Sequence, residues 1–165
     1  MIEDLLHKLS KFRKPEKAVD QLIEGALQLT ESNIGYFAVL NQSGDVITML
    51  GWSRLARDLC DMLHKPILYP LEDTGLWGDC IREGRPIITN DYESSTRPTK
   101  KGLPKDHVMV VRHLNVPVLE GKRMVGILGV GNKPGLYTSE DADALQEYAN
   151  RAWVIIHELL PATAE

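Results

Sequence analysis

Two segments constrain this chain more than any other feature. "NIGYFAVLNQSGDVITMLGW" and "VMVVRHLNVPVLEGKRMVGILGVGN" each hold two β-rich runs around a tight reversal. In the first the reversal is "NQSGD", whose Asn, Ser, Gly and Asp suit a tight turn. In the second it is "EGK", around Gly121. Each segment therefore predicts a hairpin, the first pairing Gly35–Leu40 with Val46–Trp52. Hairpins make antiparallel pairs, so a doubly wound parallel sheet is excluded. Helical patterns surround them. Ile2, Leu5, Leu6, Leu9 and Phe12 share one helical stripe, and Pro15 interrupts it. Proline suits a first helical turn, which predicts a second helix over Pro15–Leu29. A patch over Leu55–Leu63, a short helix closed by Gly84 and a short strand in "RPIITN" follow. The last helix carries Leu145, Ala149, Ala152, Ile156 and Leu159 on one stripe, with Tyr148, Trp153, Ile155 and Leu160 widening it. The order predicts an α+β fold.

Composition removes several function classes. The 165 residues are 43% apolar and 25% charged, and suit one domain. A net charge of -4 argues against nucleic acid, which needs clustered Lys and Arg. The acidic start "MIEDLL" has no apolar signal region, and no apolar run is long enough to span a bilayer. A soluble, cytoplasmic chain with no direct membrane insertion is the expectation. Cys60 and Cys80 form no C-x-x-C pair. The five histidines make no H-E-x-x-H or other tight metal spacing.

"GILGVGNKPGLYTSED", from Gly126 to Asp141, looks at first like a phosphate loop. It fails on context. A phosphate loop needs G-x-x-x-x-G-K-[ST] opening a helix, whereas Gly126, Gly129 and Gly131 fall inside a strand. Glycine inside a strand signals close backbone approach or a bulge. Thr138 then begins T-x-x-D, a capping-box spacing, with Asp141 in the first helical turn. The stretch reads as strand, turn and capped helix.

These residues carry a resemblance. Asn132-Lys133, a spacer, Tyr137, three residues and Asp141 resemble the asparagine-lysine...phenylalanine-x3-aspartate-glutamate signature of GAF domains. Tyr137 stands for the usual phenylalanine and Ala142 for the final glutamate. "GRPIITNDY", the second hairpin and the closing helix resemble GAF modules of bacterial and archaeal sensor histidine kinases and diguanylate cyclases. The resemblance covers about Lys17–Leu160. It implies an antiparallel sheet of about six strands with helices on both faces and the terminal helices packed together. It divides the chain into a helix at 1–14, usable as a dimer or linker helix, a domain at 15–160 and a tail at 161–165. It also implies that Lys133 and Asp141 pair to tie the last strand to the last helix.

The function implied is signal input. An unknown small molecule or a partner would shift the terminal helices, and an output domain would read the shift. The cofactor is unknown. Trp77, Asp91, Tyr92, His107 and Arg112 are the candidate pocket residues, because a ligand cup needs a few fixed polar groups among apolar ones. Arg112 would meet an anion or a loop acid such as Asp91. The unpatterned segment Thr89–His107 reads as a lid or a mobile excursion. The competing readings are a redox enzyme resembling the free methionine sulfoxide reductases, which use loop cysteines, and a ligand-free dimerisation module. Chromophore attachment at Cys80 lacks its surrounding pattern. Surplus apolar surface on the two terminal helices predicts a homodimer through them.

Overall fold

The computed structural model describes residues 1–59, 67–103, 107 and 109–163. Its centre is a six-stranded sheet with the order β3-β2-β1-β6-β5-β4, every neighbour antiparallel. The strands are β1 (Ile34–Leu40), β2 (Val46–Trp52), β3 (Leu68–Pro70), β4 (Ile87–Thr89), β5 (His113–Glu120) and β6 (Arg123–Gly131). The helices are α1 (Ile2–Leu9), α2 (Pro15–Thr30), α3 (Arg54–Leu59), α4 (Asp79–Glu83) and α5 (Ser139–Ile156). Both predicted hairpins form, and β3 is an edge strand that no sequence pattern announced. The predicted patch Leu55–Leu63 is helical over Arg54–Leu59, and its remainder lies outside the described residues, as do Cys60 and His64.

Local chemistry fixes the element ends. Lys14 is extended and Pro15 occupies the first turn of α2, as a proline and its predecessor require. Asn41 shapes the first hairpin turn, its Oδ1 accepting from the backbone N–H of Asp45 and Val46, both at 3.0 Å. Gly84 closes α4 at φ 67°, a left-handed conformation that a side chain disfavours.

The central strands are buried on both faces, so their apolar runs need no alternation with polar residues. Phe37, Val39, Leu114, Val116, Leu128 and Val130 face a layer made of α1, α2 and α5. Ala38, Leu40, Ile47, Met49, Ile87 and Ile127 face the other way, against Cys80 and Ile81 of α4. α5 also protects the free edge of β5 beyond β4. Gln146 Nε2 donates to the Pro117 carbonyl at 2.5 Å, and Asn150 Oδ1 accepts from the Leu119 N–H at 2.8 Å. Pro117 has no N–H to leave exposed at that edge.

The terminal helices pack together within one chain. Leu5, Leu6 and Leu9 are buried against the core that includes Ile156, with Phe12, Trp153, Ile155 and Leu160 partly buried beside them. Arg151 pairs with Glu3 at 2.7 Å across that contact. The apolar surplus from which a homodimer was expected is thus covered in part by the chain itself. Val154 of α5, 71% exposed, remains uncovered. Among the described residues no helix is long and apolar enough to cross a membrane.

Candidate functional site

The sheet face away from the terminal helices carries the chemistry. Strand pairing settles which residues share it. Opposite residues in an antiparallel ladder point the same way. Trp52 lies opposite Tyr36, Tyr36 opposite Gly129, Gly129 opposite Asn115, Asn115 opposite Ile87, and His113 opposite Thr89. These residues form a band across the sheet from β2 to β4.

Gly129 makes the band possible. With no side chain there, Tyr36 reaches over β6, and its hydroxyl donates to Asn115 Oδ1 at 2.6 Å. A Cβ at 129 would come 2.5 Å from Asn115 Oδ1 and would overlap the Tyr36 ring. Gly126 has a different reason, since a Cβ there would sit 2.5 Å from the Ala38 carbonyl oxygen. The glycines that imitate a phosphate loop thus make room for a neighbouring ring and a neighbouring backbone.

The relay continues. Asn115 Nδ2 lies 2.7 Å from His113 Nδ1. With the amide donating, Nδ1 must accept, which places the imidazole proton on Nε2. Burial lowers the His113 pKa to about 4, with Asp79 opposing and Arg97 reinforcing the shift. Burial, with the neighbouring Cys80, raises that of Tyr36 well above its ordinary value. Both side chains nonetheless keep partial solvent contact, and the space above the band is the candidate recess. Thr89, opposite His113, is 7% exposed, and its Oγ1 is buried without a hydrogen-bond partner among the described residues.

Aromatic rings form a wall beside this relay. Tyr69 meets Trp77 at 5.2 Å, Trp77 meets Tyr36 at 5.6 Å, Tyr36 meets Trp52 at 5.8 Å, and Trp52 meets His107 at 6.5 Å. Most of these contacts are edge-to-face, and every ring is partly exposed. Such geometry is favourable for aromatic quadrupoles.

The described residues 90–103 form a strap bound to α4 and to the turn before it. Asp79, 3% exposed, is its anchor. Its carboxylate accepts from Arg82 at 2.6 Å, Arg97 at 3.1 Å and Thr99 at 2.8 Å. Arg82 also donates to the carbonyls of Leu71, Thr74 and Gly75, holding the turn before α4. Arg97 also reaches Glu83 at 2.6 Å, and Lys101 reaches the Glu72 carbonyl at 3.1 Å. The described part of the segment expected to be a lid is therefore pinned to α4 by its own side chains.

The strap is also joined to α5. Asn90 bonds the Tyr137 backbone twice, accepting from its N–H at 2.8 Å and donating to its carbonyl at 3.0 Å. The Tyr137 hydroxyl lies 2.6 Å from Ser32 Oγ. Asn132, at φ 59°, accepts from the Val111 N–H and donates to the Met109 carbonyl. Lys133 Nζ grips both oxygens of Asp141, at 3.0 and 2.8 Å, and Thr138 and Asp141 complete a capping box. Burial opposes ionisation of Asp141, but the bonds from Lys133 and Thr138 outweigh it and hold its pKa below the ordinary value.

The expected pocket residues divide. Trp77 and His107 belong to the aromatic wall. Tyr92 lies beside His113, with ring centres 6.0 Å apart, and Lys100 stands over its ring. Asp91 is exposed and accepts from the Ser94 N–H. Arg112 donates to the Lys133 carbonyl at 2.7 Å and so braces the signature turn. Tyr36, Trp52, Tyr69, Asp79, Thr89, Arg97, His113 and Asn115 were not among the expected residues. A buried asparagine inside the apolar run "LNVPV" was the signal that could have found the relay.

An antiparallel sheet with its terminal helices on one face and a loop-strapped aromatic wall on the other defines a small α+β domain. A family model described as GAF domain matches residues 13–157, and the chain belongs to that family. It is 42% identical over 133 residues to the methyl sulfide methyltransferase-associated sensor of Methanosarcina acetivorans. That match covers 81% of this chain and 13% of the relative, so the chain spans only a small part of that protein's length. Among solved structures it is similar to the GAF domain of an Acinetobacter phosphoenolpyruvate-protein phosphotransferase, with a TM-score of 0.75 and 14% identity, over 95% of this chain and 90% of that one. It is also similar to the free methionine-R-sulfoxide reductase of Neisseria meningitidis in complex with its substrate, with a TM-score of 0.70 and 13% identity, over 96% and 87%. At these identities the structures share the fold alone.

Proposed function

We propose that this chain is the sensory module of a cytoplasmic signalling protein, with a sensor histidine kinase or a diguanylate cyclase as the class of parent. A small ligand binds the recess and changes how the strap is held. The strap, through Asn90 and Tyr137, changes how α5 is held, and an output domain reads α5. The observation that carries this reading is the partly exposed aromatic wall beside a polar relay, with the adjoining strap tied by Asn90 to Tyr137 just before the last helix. The sensor relative supports it. Coupling of this kind requires the ligand to bind two states of the strap unequally.

Native mass spectrometry for retained small molecules, followed by a thermal-shift screen, tests it. A ligand at 100 times its dissociation constant adds about 2.7 kcal/mol. A protein that retains nothing and responds to no compound is instead a ligand-free module.

Catalysis by Cys80 is disfavoured on chemistry. Burial pushes its thiol pKa up, with the adjoining Asp79 adding to the effect, and the thiolate is the nucleophile. Reduction of free methionine sulfoxide with a thiol donor, abolished by Cys80→Ser, would overturn this. In the signalling reading two copies pair through the terminal helices, with Val154 at the contact. Sedimentation equilibrium giving a monomer at tens of micromolar removes that part alone.

A further inference from the structure

We infer that the recess takes an uncharged, planar nitrogen heteroaromatic molecule, stacked on the indole and phenol rings and hydrogen-bonded at Thr89 and His113. The inference rests on the ligand-binding reading above and deepens it.

The ring wall sets the shape. Tyr69, Trp77, Tyr36, Trp52 and His107 run in unbroken contact. An edge-to-face pair leaves at least one ring with both faces clear of its neighbour, and a flat aromatic ligand matches such faces.

The polar groups set the hydrogen bonding. Tyr36 is used by Asn115, and Asn115 by His113 Nδ1. His113 Nε2–H is then a donor at the end of the relay. Thr89 Oγ1, on the facing position of β4, is buried and unbonded, and a hydroxyl both donates and accepts. A buried orphan polar atom is uncommon enough to require a reason. An acceptor nitrogen next to a donor or acceptor on a heteroaromatic edge satisfies both groups.

The charges set neutrality. Tyr36, Asn115, Thr89 and His113, whose protonation the relay opposes, offer no charge. Asp79 is committed to Arg82, Arg97 and Thr99, Arg82 to three backbone carbonyls, and Arg97 to Glu83. Lys100 is committed to the Glu93 carbonyl and the Tyr92 ring, so among the described residues a charged ligand would meet no uncommitted counter-charge, which burial penalises heavily.

Lumichrome and adenine serve as uncharged probes. Flavin mononucleotide and adenosine monophosphate carry similar rings with a phosphate, and tetramethylammonium is a cation for the same rings. Binding is measured by equilibrium dialysis and by quenching of tryptophan fluorescence. At least one uncharged probe should bind, at least tenfold tighter than its phosphorylated counterpart and than tetramethylammonium. Thr89→Val should weaken that binding about tenfold, as expected for one lost hydrogen bond, and Thr89→Ser should restore it. Trp77→Leu should weaken it at least as much. Thr89→Val should also raise the urea midpoint of the free protein, because it removes an unbonded buried hydroxyl. A lowered midpoint would show that Thr89 has a structural partner and would overturn its assignment.

If a charged probe binds tighter than its uncharged counterpart, and Trp77→Leu weakens it, the ligand class is wrong and the sensor reading stands. If both uncharged probes fail at 1 mM, the class is likewise overturned. Binding that ignores both Thr89→Val and Trp77→Leu places the site elsewhere. Failure of the sensor reading looks different, because then no probe binds and the native protein retains nothing.

Discussion

Replacing Asp79 with alanine should loosen the strap and destabilise the whole domain. The carboxylate is almost fully buried and receives Arg82, Arg97 and Thr99. Hydrogen bonds to a charged group contribute roughly 1.5–3 kcal/mol each, and breaking a buried ion pair costs about 3–5 kcal/mol. Here the loss falls below the sum of the three bonds, because neither arginine becomes an orphan. Arg82 keeps the carbonyls of Leu71, Thr74 and Gly75, and Arg97 keeps Glu83. Their side chains are also 24% and 35% exposed, so water takes up part of the charge. A loss of about 2–4 kcal/mol follows for Asp79→Ala, and about half for Asp79→Asn, which keeps one acceptor. With a urea slope of about 2 kcal/mol/M, the alanine variant's midpoint should fall by roughly 1–2 M. Limited trypsin digestion should also cut sooner at Arg97, Lys100 and Lys101. An unchanged midpoint together with an unchanged tryptic pattern would refute the strap.

Gly129→Ala should cost about 1–3 kcal/mol, the usual range for overpacking, because the methyl meets Tyr36 and Asn115. A near-UV circular dichroism spectrum and melting curve like those of the native protein would contradict the close approach. Acidification should expose the His113 relay. Its folded pKa of about 4 lies below the ordinary value near 6.5, so between those limits the unfolded chain binds more protons. This contribution is complete above about pH 6.5 and is lost as pH falls to about 4, amounting to about 3 kcal/mol. His113→Gln should flatten the urea midpoint over that window, and parallel curves would remove the assignment. Asp141→Ala should lower stability by about 0.5–2 kcal/mol through the lost cap and ion pair. A melting midpoint that did not move would make the pair dispensable to the fold.

Local features of the fold were legible because they rest on local chemistry. Pro15, Gly84, Thr138 and the two hairpin turns are written in adjacent residues, and each element begins or ends where they indicate. The band Trp52, Tyr36, Asn115, His113 and Thr89 could not be read the same way. It exists only once β6 lies between β1 and β5, a pairing between strands far apart in the chain. β3, with three residues on the sheet edge, is too short to show a period. The contacts of Asp91 and Arg112 were not legible, because polar residues in a loop look alike in sequence. Here one caps a turn and the other braces a backbone. Asp79 was passed over because a first-turn acid on a short helix is ordinarily a surface residue.

The double bond between Asn90 and Tyr137 has a mechanical meaning. It grips the chain next to the start of α5, while Gln146, Asn150 and Trp153 hold the helix along β5. A rod that turns as one body carries a small rotation at one end into a displacement at the other. Ser139–Ile156 is 18 residues long, or about 27 Å at about 1.5 Å per residue. A tilt of about 5° at the Tyr137 end would carry the other end about 2 Å over that length. Spin labels at Lys17 and Glu158 would register such a swing as a change in their distance, and an invariant distance on ligand addition would show that the rod does not turn. Strap movements too small to open the recess would then suffice to displace whatever rests on the end of the helix.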